Sequence, residues 1–243
     1  PFVRMLALIG TAPLFSEGVV QRQLKIGLAA LLTIAISPTL DPMPVIPLVS
    51  VASLWILIQQ ILIGAAMGFA MRLVFAAVQA AGEFTGLQMG LSFASFFDPT
   101  AGGNTMVVSR LLNAMAMMIF LALDMHLMTI GTLVESFHAL PIADAPLSAT
   151  GWRVLVGGGS AVFTAGLMLA LPLVTALLII NLAMGLLNRA SPQLSIFAVG
   201  FPLTLLAGII LMQLQMYHLA PFLEHQFAAG LTTMQTVLQA LHP

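Results

Sequence analysis

Two stretches of this chain, Val45 to Met71 and Val154 to Leu187, hold no charged residue at all. About 20 consecutive apolar residues already cross the hydrocarbon of a bilayer. Each stretch is long enough for that, and a water-soluble core is a poor host for either. The composition agrees: 60% of the 243 residues are hydrophobic and 6% are charged, against roughly 25% charged in an ordinary soluble domain. Seven basic and eight acidic residues leave a net charge of -1, too thin and too balanced for nucleic acid or another polyanion to be the partner. Cysteine is absent, which excludes disulfides and thiolate metal sites and leaves the redox compartment open. The opening at Pro1, inside an apolar pattern, reads as the start of a fragment and not as a signal peptide.

The pattern along the chain predicts an all-α, membrane-type protein of kinked helices and helical hairpins. Met5 to Phe15 and Leu24 to Leu40 read as helices, and "DPMPVIP" (Asp41 to Pro47) breaks the chain before the long run to Met71. Val74 to Leu91 continues helically, "DPTAGGNT" reads as a loop, and Met106 to Val134 is apolar but interrupted by Arg110 and Asp124. Glu135 to Arg153, rich in Pro and Ala, reads as a surface connection between two halves. Ser160 to Leu187 and Leu194 to Tyr217 then form a hairpin around "NRASPQ", with an amphipathic tail to Pro243 and kinks expected at Pro172 and Pro202. At about 1.5 Å per residue, a helix of about 28 residues measures roughly 42 Å, more than the ~30 Å of hydrocarbon. Some of this apolar surface must therefore meet protein.

Arg72, Glu83, Arg110, Asp124 and Arg189 lie in or beside apolar runs. At a helix centre in lipid each would cost about 2.5 to 3.5 kcal/mol, so they are expected to be buried or interfacial, capping helix ends, pairing, or touching other subunits. Basic residues fall in nearly every connection, so the positive-inside rule assigns no simple threading.

Gly82, Gly86, Gly90 and Ala94 recur every fourth residue and leave one helix face bare, which lets another backbone approach. Gly64 and Gly68 repeat the spacing and read as ordinary packing. Beyond Leu91 the run "LSFASFFD" sets Phe93, Phe96 and Phe97 among Ser92 and Ser95, just ahead of Pro99, which disfavours helix at Asp98. Irregular backbone at membrane depth is tolerated only when buried in protein or facing a wet cavity. Apolar rings there either obstruct a passage as a displaceable plug or anchor the loop in the chain's own core. Met115, Met117 and Met118 offer compliant packing of the same kind.

Chemistry is sparse. No H-E-x-x-H, G-x-S-x-G or Walker-type sequence occurs and Lys25 is the only lysine, so nucleotide hydrolysis is excluded. Asp124, His126, Glu135 and His138 come nearest to an acid-base or metal set but lack ligand spacing on one face. No catalytic residue, metal or cofactor is expected.

Three stretches carry a family likeness: "GLQMGLSFASFFDP", "ALPLVTALLIINLAMGLLNRASPQLSIFAVGFPLTLLAGIILM" and "RMLALIGTAPLFSEGVVQRQLKIGLA". Together, and in this order, they closely resemble the FliR family of flagellar export-gate proteins, whose injectisome relatives are the SpaR/YscT proteins. The resemblance covers nearly the whole chain and is most specific over Gly86 to Pro99 and Leu187 to Leu203. It implies a non-enzymatic subunit of a type III secretion gate in the bacterial inner membrane at the flagellar basal body. It also implies assembly with several copies of FliP and of FliQ, docking of FlhB, contact with lipid, and passage of unfolded export substrates. On the family pattern, residues 1–140 are a FliP-like part with the plug loop at 91–98, 141–153 connect, and 154–243 are a FliQ-like hairpin and tail. The resemblance places the obstructing rings at Phe93, Phe96 and Phe97 and the packing positions at Gly86 and Gly90. "TAGGNT" after Pro99 departs from the family pattern. The alternative reading is a self-contained small-solute transporter or ion channel.

Overall fold

The computed structural model describes residues 1–16, 20–40, 47, 50–91, 107–143, 145–190 and 200–242. Every regular element among them is helical. In chain order these are α1 (Phe2–Thr11), α2 (Pro13–Ser16), α3 (Arg22–Ile36) with a 3-10 turn at Ser37–Thr39, α4 (Val51–Gln88), α5 (Val107–Ala122), α6 (Met125–Ala139), α7 (Ala149–Ala190) and α8 (Phe201–Leu241). By length and composition α4, α7 and α8 are able to cross a membrane. The pair α5 and α6 adds a fourth candidate that bends by 67° at Asp124, a residue in the left-handed region at φ 53. Asp enters that region more readily than most residues, because its short side chain bonds locally.

The long helices run further than the sequence pattern predicts. α7 is one helix of 42 residues with Pro172 inside it. α8 spans 41 residues, absorbing the tail into the second arm, with Pro221 inside it. Pro202 sits in the first turn of α8, where a missing N–H leaves no bond unmade, so the expected kink at Pro202 is not found. The surface connection is also shorter than Glu135 to Arg153. α6 continues to Ala139, and α7 begins at Ala149 behind Ser148, whose hydroxyl accepts from the Thr150 N–H at 3.3 Å. That is an N-cap.

The chain condenses into two compact units, Pro1–Phe75 with Phe120–Ser160 and His225–Pro243, and Ala76–Ile119 with Ala161–Glu224. Each draws on both sides of the 141–153 connection. In the first unit, Gly64 and Gly68 of α4 receive α1. A Cβ on Gly64 would strike the Arg4 carbonyl and Ala7, and one on Gly68 would strike Thr11 and the Ala12 nitrogen. Met5, Leu8 and Ile9 of α1 are buried there. Phe75, Phe120 and Phe227 close the core as a trio of rings with centroids 5.1 to 5.5 Å apart, two of the pairs edge-to-face as ring quadrupoles favour. In the second unit, Gly82 lets α5 in so closely that a Cβ would meet the backbone of Ser109. The Ser109 hydroxyl donates to the Gln79 carbonyl at 3.0 Å. Gly166 of α7 faces the Ala77 carbonyl and Ala80 in the same manner.

Candidate functional site

The plug positions Phe93, Phe96, Phe97, Ser92 and Ser95 lie outside the described residues. What is described is the chain's approach to them. α4 ends at Gln88, and Gly90 turns left-handed at φ 82, the usual way for a helix to stop on a glycine. The last carbonyls of a helix have no donors of their own, and here neighbours fill the gap. Met89 N–H donates to the Thr85 carbonyl at 2.9 Å and Gly90 N–H to Leu87 at 3.0 Å. Asn181 Nδ2 of α7 donates to the Gln88 carbonyl at 3.4 Å. The buried Thr204 hydroxyl of α8 lies 3.4 Å from the Met89 carbonyl and 3.1 Å from that of Phe201, one proton between two acceptors. The Met89 side chain, 2% exposed, fills the space over Gly208, where a Cβ would come within 2.6 Å of its Cγ.

Gly82 and Gly86 are buried on α4 and Gly90 is half-buried. Gly82 accepts a helix of its own chain, α5, as described above. Arg72, Glu83, Arg110, Asp124 and Arg189 are all exposed on the single chain. None of the five is buried within this chain, which leaves the interfacial alternative of the expectation, contact with other chains or with headgroups. Met118 is exposed, with Met115 and Met117 half-buried. Among the described residues no three His, Asp or Glu side chains gather as metal ligands would.

Among the described residues the charge that is buried is Arg4 of α1, absent from the sequence-based set. Its Nε donates to Gln60 Oε1 at 2.8 Å, Nη1 to the Ser136 carbonyl at 2.8 Å and to Ser136 Oγ at 3.1 Å, and Nη2 to the Leu140 carbonyl at 2.9 Å. Its guanidinium carbon lies 4.3 Å from the centre of the Phe137 ring. Two of these acceptors are terminal carbonyls of α6, the end where the helix dipole favours a cation. Burial pushes its pKa down to about 9, so at neutral pH it stays charged. Next to Gln60, Gln59 donates to the Ala145 carbonyl at 2.7 Å. The Gln59-Gln60 pair inside an apolar run is the signal that a polar junction sits there.

Within the second unit, α7 and α8 leave a cleft of about 410 Å³ lined by apolar side chains together with Gln215 and His218. Gln215 Nε2 donates across it to the Leu169 carbonyl, in the turn that precedes Pro172. The outward faces are bare: within the single chain only 22% of the most apolar window of α7 and 17% of that of α8 is buried, against 61% for α4.

Helices held together by small residues, polar junctions that bond backbone carbonyls, and long apolar faces left open define an all-α membrane-type protein. The chain belongs to the bacterial export proteins, family 1, whose model it matches over residues 1–230. It is 50% identical over 241 residues to a flagellar biosynthetic protein FliR of Pectobacterium carotovorum subsp. carotovorum, covering 99% of this chain and 92% of the relative. The FliR of Escherichia coli (strain K12) is similar to the same extent, 50% over 241 residues with 99% and 92% covered. That of Buchnera aphidicola subsp. Acyrthosiphon pisum is 39% identical over 224 residues, with 92% of this chain and 86% of the relative covered.

Proposed function

We propose that this chain is a non-enzymatic core subunit of the flagellar type III protein export gate. In this reading it lines and plugs the channel through which unfolded flagellar proteins leave the cell. The observation that carries the reading is 50% identity to flagellar FliR proteins along 99% of the chain. The uncovered faces of α7 and α8 support a subunit role, because an apolar helix face needs cover from lipid or protein. FliP and FliQ in several copies, FlhB and membrane lipid supply that cover, at the basal body in the inner membrane. The exposed charges Arg72, Glu83, Arg110, Asp124 and Arg189 then meet partner subunits or headgroups instead of hydrocarbon.

Phe93, Phe96 and Phe97, with Ser92 and Ser95, form the plug, since apolar constrictions close pores by excluding water while staying displaceable. Gly82 and Gly86 keep the helix that leads to it slim, and Gly90, expected on the same helix face, lies beyond the helix end at Gln88. Ion conductance across planar bilayers tests the proposal in two arms. The chain reconstituted alone conducts nothing, and the assembled gate carrying Phe93, Phe96 and Phe97→Ala leaks at rest where the parent gate is tight. Conductance by the lone chain supports the self-contained channel instead, and a tight triple variant removes the plug.

A further inference from the structure

We propose that the first turns of α8, with Asn181 of α7, form a clamp that positions the C-terminal end of α4 and so sets where the chain departs toward the plug. The proposal rests on the plug reading for its consequence, and on described residues alone for its geometry.

Three contacts converge on the two residues after which α4 ends. Asn181 reaches the Gln88 carbonyl, Thr204 reaches the Met89 carbonyl, and Met89 itself is seated where residue 208 has no side chain. A helix C-terminus normally leaves such carbonyls to water or to its own cap. Here both helices of the hairpin serve them, the Gln88 carbonyl at the surface and the Met89 carbonyl where, at 5% exposure for Thr204 and 2% for Met89, water has little access. Gly90 at φ 82 turns the backbone immediately afterwards, so the seat of Met89 fixes the direction in which the chain leaves α4. The seat also explains a glycine inside α8, where that residue costs about 1 kcal/mol of helix propensity against alanine. The arms that carry the clamp are the same helices whose outer faces are bare. A subunit lying on either arm would thus bear on the plug's point of departure.

The test uses the gate assembled with its partners and reads resting ion leak. Gly208→Leu places branched carbon in Met89's seat and should raise leak at least several-fold. Adding Met89→Ala to it vacates the space and should bring leak back to within about twofold of the parent, a rescue that general destabilisation does not produce. Thr204→Val keeps the shape and removes the shared proton, and should raise leak about two- to fivefold, the size of one modest hydrogen bond. It decides the matter if Gly208→Leu prevents assembly. Parental leak in Thr204→Val and in Gly208→Leu, or a Gly208→Leu leak that Met89→Ala fails to reduce, overturns the clamp even where the triple phenylalanine variant leaks. A tight triple variant beside a leaky, rescuable Gly208→Leu keeps the clamp and removes the plug.

Discussion

The two compact units solve the same problem, holding apolar helices together without a wide choice of polar glue; both use glycine notches, and they differ in the polar bonding they add. The first gathers a buried cation, two glutamines and the terminal carbonyls of α6 into one junction in which Arg4 makes four hydrogen bonds of 2.8 to 3.1 Å. The second relies on glycine notches, two side-chain bonds of 3.4 Å at the end of α4, and a cleft left unfilled. Low dielectric strengthens a satisfied network and makes a broken one expensive. The first arrangement is therefore rigid and brittle, and the second is more tolerant. In the proposed export gate the first unit supplies a fixed frame and the second a region able to yield.

The contrast is broken most directly at Arg4. Arg4→Ala strands Gln60 Oε1 and the Leu140 carbonyl in a buried site and leaves the Ser136 carbonyl with only the Leu140 N–H, and removing one member of such a junction costs about 3 to 5 kcal/mol. The expected outcome in thermal unfolding of the purified gate is loss of the folded subunit, with Arg4→Lys recovering only part because an ammonium cannot reproduce the planar fork. The same residue predicts no pH effect near neutrality. Its folded pKa of about 9 lies below the ordinary 12.5, so the unfolded chain binds the proton more tightly. Stability contributed at this site therefore rises only above about pH 9 and is flat from pH 5 to 8. Gly82→Ala should come next in size. The added Cβ meets the Ser109 backbone, which has no flexible end to move aside, and overpacking of that kind costs about 1 to 3 kcal/mol. A stability change as large as that of Arg4→Ala would erase the distinction between the units.

Much of the frame is legible in the sequence, for physical reasons. Uninterrupted apolar runs have few homes, so helices within Val51–Gln88 and Ala149–Ala190 follow from composition, whereas the end of α4 does not: Gly90 reads as a packing position on a helix reaching Leu91, and only its φ of 82 marks it as the stop. Arg4 was hidden because its acceptors lie 56, 132 and 136 residues away, and nothing in a window of sequence reports contacts that distant. Apolar content likewise fails to say who covers a helix: α7 is the more apolar of α7 and α4, yet the less covered by its own chain. The connection is narrower than 135–153 because the Ser148 cap and the bonds from Arg4 support helix ends inside a stretch whose composition favours a loop.

The smallest effect, and the finest probe of the contrast, is expected at Gln215. Its side-chain amide crosses the cleft between α7 and α8 to the Leu169 carbonyl. Gln215→Leu removes that bond and sets an apolar side chain of similar size against Leu211, Leu214 and Pro172, which already line the space. The lost hydrogen bond is worth about 1 kcal/mol, and the gain from burying apolar surface in an incompletely filled cleft offsets part of it. Thermal unfolding of the gate should therefore shift little, by the equivalent of about 1 kcal/mol or less, several times below Arg4→Ala. Because the cleft is open at this turn, the helices have room to resettle, whereas Arg4 is buried and held by four hydrogen bonds. A loss comparable to Arg4→Ala would mean that the Gln215 bond, like the Arg4 junction, is a fixed point of the frame, and that the second unit yields elsewhere than between α7 and α8.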